Sequence, residues 1–413
     1  MTAGSRGDVA PYTGLGHGLL RAGHEVTLVT HGSFEALVRG SGLGFHALPV
    51  DPRAQLESSQ GRGLHRSATG VGKLARLAAM ARELVERMTD DLVAAAHESD
   101  VLLLSGSLAP LGHAVAEGLS LPSLGVYLQP LAPTREFAPP VLGGGSLGRL
   151  GNRIAGHGVG LAVERIFVGA VPMARARLGL KGLNGVGRPR AALRARERQG
   201  WPVLHGFSPL VVPRPRDWRA GLDVAGYWWP YDREAQLPSR LGDFLDAGPA
   251  PVFVGLGSAT VPDPQRLSAE IVRALRRAGL RGVIQRGWGG LEAVGDDMLT
   301  VDEVPHSVLF PRMAAVVHHC GAGTTAAGVR AGVPAVPVPI QFDEGFWAAR
   351  LVTLGVAPEA VPLRRLTTDR LATALTRVTR EPAYRERARD LGARVREEDG
   401  VAPVVEAVGR LAR

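Results

Sequence analysis

Residues 314–344 restrict the possible folds of this chain more than any other stretch. Ala314 to Val317 form a short, unbroken apolar run, which predicts a buried strand. It runs into the small turn His319-Cys320-Gly321-Ala322-Gly323-Thr324-Thr325, from which a helix is predicted to reach about Gly332. A helix start carries unpaired backbone N–H groups and roughly half a positive charge, and Gly321 and Gly323 let a phosphate come close to the backbone. A second predicted strand, Ala335 to Val338, then delivers Asp343 and Glu344 to the same carboxyl edge of the sheet, where open α/β sheets take their ligands. Groups that hold an anion and groups that hold hydroxyls therefore converge on one crevice.

The pattern His319-x-Gly321-x-Gly323-Thr324, about twenty residues ahead of Asp343-Glu344, resembles the donor-binding motif of nucleotide-sugar glycosyltransferases of the two-Rossmann-domain type (GT-B, family 1). The bacterial antibiotic glycosyltransferases and the sterol glucosyltransferases are the most similar members, and the resemblance covers nearly the whole chain. It implies an α/β fold of two Rossmann-like domains facing each other across a cleft. An acceptor-binding domain is expected over residues 1–215 and a nucleotide-sugar domain over 216–395. A last helix within 396–413 is expected to pack back on the first domain.

Composition sets outer limits. The 413 residues suffice for two domains with separate cores. No apolar run approaches the roughly 18 residues of a membrane span, so no stable membrane insertion is expected. Cys320 is the single cysteine, which rules out an internal disulfide framework, and with no recognisable signal peptide it fits a cytoplasmic setting. The net charge of +9 invites a nucleic-acid reading, but all 48 basic residues except Lys73 and Lys181 are arginines, scattered along the chain rather than gathered in a patch. No nucleic-acid partner is expected.

In chain order, Pro11 suits the first turn of a helix to about Arg21, and His24 to Thr30 and Phe45 to Leu48 read as strands. Relatives carry a strand ahead of the Gly4-Ser5-Arg6-Gly7-Asp8 turn, whereas only Met1 to Ala3 precede it here. The natural chain is therefore expected to start several residues upstream. Lys73 to Ala96 has helical spacing, and Val101 to Leu104 and Ser123 to Leu128 read as strands around a helix near 111–119. The Pro- and Gly-rich segment Gln129 to Gly151 is too long for a simple connector and reads as a functional loop. Trp201 to Ala250 reads as a connecting region. Strands are predicted at Pro251 to Gly257, Gly282 to Gln285 and Met298 to Val301, and closing helices at about 369–377, 383–396 and 403–411.

Glycosyl transfer needs a base for the acceptor hydroxyl, a grip on the sugar and stabilisation of the departing diphosphate. The last falls to the helix start at Gly321, Ala322, Gly323 and Thr324 together with His319. His318, one residue earlier on a strand, should point to the opposite face and reads as structural. In related antibiotic enzymes the Asp of the Gly-Ser-Arg-Gly-Asp turn is the base, which the resemblance assigns to Asp8; the other reading is a cap for the following helix. Arg6 can reach the diphosphate or pair with Asp8. Asp343 and Glu344 take the place of the family's Asp-Gln sugar-binding pair, the Glu being a departure; the alternative is a solvated helix start. Ser258 should lie near the phosphates, Val304 can offer backbone groups to a pyrimidine, and Trp288 flanks the base or simply packs. Ala327 stands where plant relatives have a ribose-binding Glu, which leans towards dTDP-sugars, although sterol-type enzymes resemble this Thr-Ala-Ala-Gly and use UDP-glucose. Gln129, Phe137 and Leu142, with the helix after Gly63, are expected to shape the acceptor site.

Competing signals fail on context. Gly144-Gly145-Ser146-Leu147-Gly148 matches a hydrolase elbow but follows prolines, not a strand. Gly14-x-Gly16-x-Gly18 has the wrong spacing for a dinucleotide fingerprint. With no metal-ligand spacing in the sequence, neither metal nor cofactor is expected beyond the dTDP- or UDP-sugar donor and an apolar acceptor. The reaction implied is inverting hexosyl or deoxyhexosyl transfer; a non-catalytic sugar-nucleotide-binding protein on the same fold is the other reading.

Overall fold

The computed structural model describes residues 1–50, 70–180, 189–232 and 235–412; the segment immediately after Gly63, expected on the acceptor side, lies outside them. The first lobe contains α1 (Arg6–Arg21), β1 (Thr27–His31), α2 (Glu35–Arg39), β2 (Gly44–Leu48), α3 (Gly70–His97), β3 (Leu102–Leu104), α4 (Ala109–Leu119), β4 (Ser123–Tyr127), α5 (Gly148–Ile166), α6 (Ala170–Arg177), α7 (Pro189–Arg198), β5 (Val203–His205) and β6 (Leu222–Val224). The second contains α8 (Ser239–Asp246), β7 (Val252–Gly255), α9 (Pro264–Ala278), β8 (Gly282–Gln285), β9 (Met298–Val301), α10 (His306–Leu309), β10 (Ala315–His318), α11 (Ala322–Ala331), β11 (Ala335–Pro337), α12 (Glu344–Thr353), α13 (Thr368–Arg380) and α14 (Pro382–Arg396), and α15 (Ala402–Leu411) closes the chain.

Every strand pair is parallel. The second sheet has the order β11-β10-β7-β8-β9. Its strands are buried on both faces, as a parallel sheet covered by helices requires. Because side chains alternate along a strand, Phe253 joins Val283 and Val316 in one core while Val252 and Val254 join Ile284 and Val317 in the other. The same split divides the first lobe, Leu102 and Leu104 packing opposite to Leu124 and Val126.

The first sheet comprises the pair β1-β2 and the run β3-β4-β5-β6. Met1 and Thr2 occupy the slot between them: the Thr2 N–H donates to the Val29 carbonyl at 3.0 Å and the Ser105 N–H to the Met1 carbonyl at 3.1 Å. Met1 and Thr2 thus bridge β1 and β3 through backbone bonds.

Several elements differ from the sequence reading. Helix α1 starts at Arg6, so Pro11 lies inside it, because Ser5 and Asp8 form a capping box ahead of the proline. The stretch read as connector contributes β5 and β6, which carries the first sheet past residue 215. Helix α12, which that reading held only as the alternative for Asp343 and Glu344, follows directly on Asp343. Gly14, Gly16 and Gly18 lie within α1, where their missing Cβ atoms leave room for the Trp229 carbonyl, Leu43 and Val401. Ser146 lies in irregular chain ahead of α5, with no strand before it.

The chain crosses back at its end. Val404 and Val408 of α15 are buried with Val9, Leu15 and Leu19 of α1, Trp228 Nε1 donates to the Gly400 carbonyl at 2.8 Å, and Ser208 Oγ donates to Glu398 at 2.6 Å. Among the described residues no single helix is long and apolar enough to cross a membrane.

Candidate functional site

On the first lobe the site is built at the start of α1. The Ser5 N–H and Ser5 Oγ both donate to Asp8 Oδ2, at 2.9 and 3.0 Å, and Gln129 adds a hydrogen bond to the same carboxylate. Gly4, at φ +144°, leaves the space these bonds need, since a Cβ there would lie 2.7 Å from Asp8 Cγ. Asp8 therefore caps α1 while standing at the sheet edge, so its two sequence readings describe one arrangement. Burial raises its pKa above the ordinary carboxylate range despite the Ser5 bonds, and the negative charge of Asp343 raises it further. That influence comes from the opposite lobe, so Asp8 and Asp343 lie within electrostatic reach of each other.

On the second lobe, β10 ends at His318 and the chain turns through Cys320, at φ +69°, into α11. The His318 ring is buried behind the turn, where its Nδ1 accepts the Cys320 N–H at 3.1 Å, and burial lowers its pKa to about 3. His319 lies on the other side. It is wedged between Gly257 and Gly321, where added Cβ atoms would each come within 2.6 Å of the ring. Its ring N–H donates to the Gly255 carbonyl, its Nδ1 has no protein partner, and burial lowers its pKa to about 4, so the free protein holds it neutral. Gly321 is the N-cap of α11, with Ala322, Gly323 and Thr324 in the first turn. Nothing lies within 4 Å of where a Gly323 Cβ would be. The Trp288 N–H donates to the Gly257 carbonyl at 3.1 Å, which brings the Arg286-to-Gly290 turn beside Gly257 and Ser258.

Asp343 and Glu344 have separate surroundings. Asp343 is the N-cap residue of α12, and its Oδ2 accepts Trp347 Nε1 at 2.7 Å, so the wholly buried indole fixes the carboxylate; burial raises its pKa. Glu344 is buried against its own loop. Its Oε2 accepts the N–H groups of Ile340 and Gln341 at 2.5 and 2.7 Å, and burial lifts its pKa to about 7. One oxygen of Glu344 thus closes its own loop.

The structure brings Asp8, Gln129 and Asp343 together, with His319 and the α11 start completing the second lobe's wall. Arg6 spans the gap to Glu303 at 3.3 Å, with side chains 51% and 70% exposed, and does not pair with Asp8. Such an exposed pair contributes only ~0–1 kcal/mol and is easily exchanged for a better anion. Val304 is buried, its side chain in the core of the second lobe. Phe137 packs on Phe346 of α12, ring centroids 5.2 Å apart, while Leu142 is 57% exposed. The sequence reading missed Ser5, Trp347, Glu303 and His306. Ser5-x-x-Asp8 carries a capping-box signal, and Trp347 stands one helical turn after Asp343. His306 is half-buried and stacked on Phe310, ring centroids 4.2 Å apart, and desolvation followed by the nearby charge of Arg6 lowers its pKa to about 4. Among the described residues no cluster of His, Cys, Asp and Glu could hold a metal ion.

Known proteins match this architecture throughout. Residues 1–137 match the glycosyltransferase family 28 N-terminal domain, and residues 266–411 the erythromycin biosynthesis protein CIII-like C-terminal domain. The O-mycaminosyltylonolide 6-deoxyallosyltransferase of Streptomyces fradiae is 37% identical over 417 residues, covering 97% of this chain and 94% of the relative. A sterol 3-beta-glucosyltransferase of Arabidopsis thaliana is 31% identical over 420 residues; the match covers 98% of this chain but only 64% of that protein's length. The crystal structure of the glycosyltransferase VinC in complex with dTDP superposes with a TM-score of 0.63 at 22% identity, covering 99% of this chain and 98% of the other.

Proposed function

Because the chain belongs to the two-domain nucleotide-sugar glycosyltransferases, and is thus a transferase, we propose that it moves a hexose or deoxyhexose from a dTDP- or UDP-sugar to a hydroxyl of an apolar small molecule, with inversion at the anomeric carbon. The observation that carries this reading is the pair of carboxylates, Asp8 and Asp343, each fixed within its own lobe and within electrostatic reach of the other.

Asp8 accepts the acceptor's hydroxyl proton as that oxygen attacks the anomeric carbon, and the bond from that carbon to the diphosphate breaks. A raised pKa improves Asp8 as a base. Asp343, fixed by Trp347, accepts hydrogen bonds from sugar hydroxyls. The diphosphate meets the α11 start, where helix polarity and free N–H groups stabilise the charge that grows on departure. An anion there raises the pKa of His319, which lies against Gly321 at that helix start. Ser258, Trp288 and the Val304 backbone complete the donor side, and residues 129–147 border the acceptor side.

Ala327 places no carboxylate at the ribose, and both a deoxyallosyltransferase and a sterol glucosyltransferase are among the relatives, so dTDP- and UDP-sugars are both donor candidates. A thermal-shift panel of dTDP, UDP and their glucose conjugates selects between them through the stabilisation each gives. Release of free nucleotide that depends on an acceptor hydroxyl supports transfer. Binding of a sugar nucleotide with no turnover on any acceptor would instead mark a non-catalytic binding protein.

A further inference from the structure

The acceptor-side loop does not merely border the cleft; it rests on the helix that carries Asp343. Three contacts make the seat. Phe137 packs on Phe346, the short 3-10 turn Pro140–Leu142 lies against α12, and Gly144 meets the backbone of Gly345. A Cβ on Gly144 would lie 2.7 Å from the Gly345 carbonyl oxygen and closer still to the Ala349 Cβ, and a Cβ on Gly345 would lie 3.1 Å from Gly143 Cα. Backbone touches backbone here because neither surface has a side chain. Gly345 lies two residues after Asp343, in the first turn of α12, and Trp347 of the same helix holds the Asp343 carboxylate.

The base of the loop is tied as well. Asp217 accepts Thr134 Oγ1 at 2.6 Å and the Arg135 N–H at 3.0 Å. With its base fixed, a push at Gly144 cannot be absorbed by sliding the whole loop and is passed to the first turn of α12.

We infer that the Gly144–Gly345 contact is a positioning element that couples the acceptor-side loop to the sugar-binding carboxylate Asp343, so that each substrate's site is set partly by the occupancy of the other. The inference rests on the donor and acceptor reading above. Coupling between sites is reciprocal, so a sugar held by Asp343 also steadies the loop.

The sequence supplies its own control. Gly144 and Gly145 are adjacent, neither is in the left-handed backbone region, and a Cβ on Gly145 meets nothing within 4 Å. Gly144→Ala forces a retreat of roughly 1 Å to restore ordinary van der Waals separation, whereas Gly145→Ala forces none. The affinities of dTDP, UDP, dTDP-glucose and UDP-glucose are measured by calorimetry for wild type, both single variants and Gly144→Ala/Ala349→Gly. Hydrogen exchange of residues 137–147 is followed in parallel. Gly144→Ala is expected to leave bare-nucleotide affinity unchanged while reducing the gain from the glucose at least about fivefold. It should also abolish the extra loop protection that the sugar nucleotide gives wild type. Gly145→Ala should match wild type, and the double variant should recover part of the gain because the Ala349 methyl is removed.

A Gly144→Ala protein indistinguishable from Gly145→Ala overturns the inference, as does an equal loss of bare-nucleotide affinity, which would report general distortion. Absence of binding by all four nucleotides to wild type would refute the donor reading itself, an outcome visible before any variant is made.

Discussion

Asp8 has a double attachment: Ser5 and Gln129 hold its carboxylate from its own lobe, while Asp343 acts on it from the other. Burial and that facing charge place its pKa above the ordinary range, so the acidic limb of the kcat/KM profile should lie higher than for a free carboxylate, the rate falling as pH drops through it. Asp8→Asn should fold normally, lose about 10²–10⁴-fold in turnover and show no such limb. Initial rates against pH check this, and full turnover by the variant would remove Asp8 from the chemistry. Glu344 makes a different prediction, about stability. Its pKa is raised from 4.5 to about 7 on folding, so the folded state holds its proton more tightly than the unfolded chain. Stability from this group is present below pH 4.5 and is lost as pH rises to about 7, by on the order of 2–3 kcal/mol. In Glu344→Gln the amide oxygen can still accept the Ile340 and Gln341 N–H groups without titrating. Urea unfolding at pH 5 and pH 8 should therefore differ less in the variant, and an unchanged difference would clear Glu344 of the effect.

At the scale of elements, the start of α11 separates ligand binding from folding. An alanine at Gly323 finds open space and a better helix former's backbone, so Gly323→Ala should keep or slightly raise the melting temperature while weakening dTDP and UDP binding tenfold or more, roughly the loss of one charge-assisted hydrogen bond. Gly257→Ala has φ +58° and the His319 ring to contend with and should lose both stability and binding. Calorimetry beside thermal melts distinguishes the two, and equal behaviour would contradict the placement of the anion at this turn. The second sheet is legible in the sequence because Val252, Val283, Leu299 and Val316 sit in compact apolar runs that only a doubly covered parallel strand explains. Strands β5 and β6 are not, being three residues each among prolines and glycines, too short to show alternation and held by their neighbours in the sheet. Of the site, His319, Gly321 and Asp343 are local-motif residues and can be read directly. The direction of Glu344 cannot, since it follows from where the loop places the N–H groups of Ile340 and Gln341. Nor can the Phe137–Phe346 contact, which depends on how the lobes meet.

Across the whole molecule, the first lobe is completed by residues from the far end of the chain. Val404 lies wholly buried against α1, so Val404→Ala should destabilise the first lobe by about 2 kcal/mol, from lost burial and the cavity left behind. Bare-nucleotide affinity on the other lobe should not change. Denaturant melts paired with dTDP and UDP titrations test this, and a parallel loss of affinity would show that the lobes do not keep separate accounts of their stability. The route of the chain also governs recombination. Since the polypeptide leaves the first lobe once and re-enters it through Gly400 and α15, a chimera that exchanges donor preference with a relative cannot be made with a single splice. It needs two junctions, one after β6 and one between α14 and Gly400, so that the host keeps its own final helix beneath its own α1.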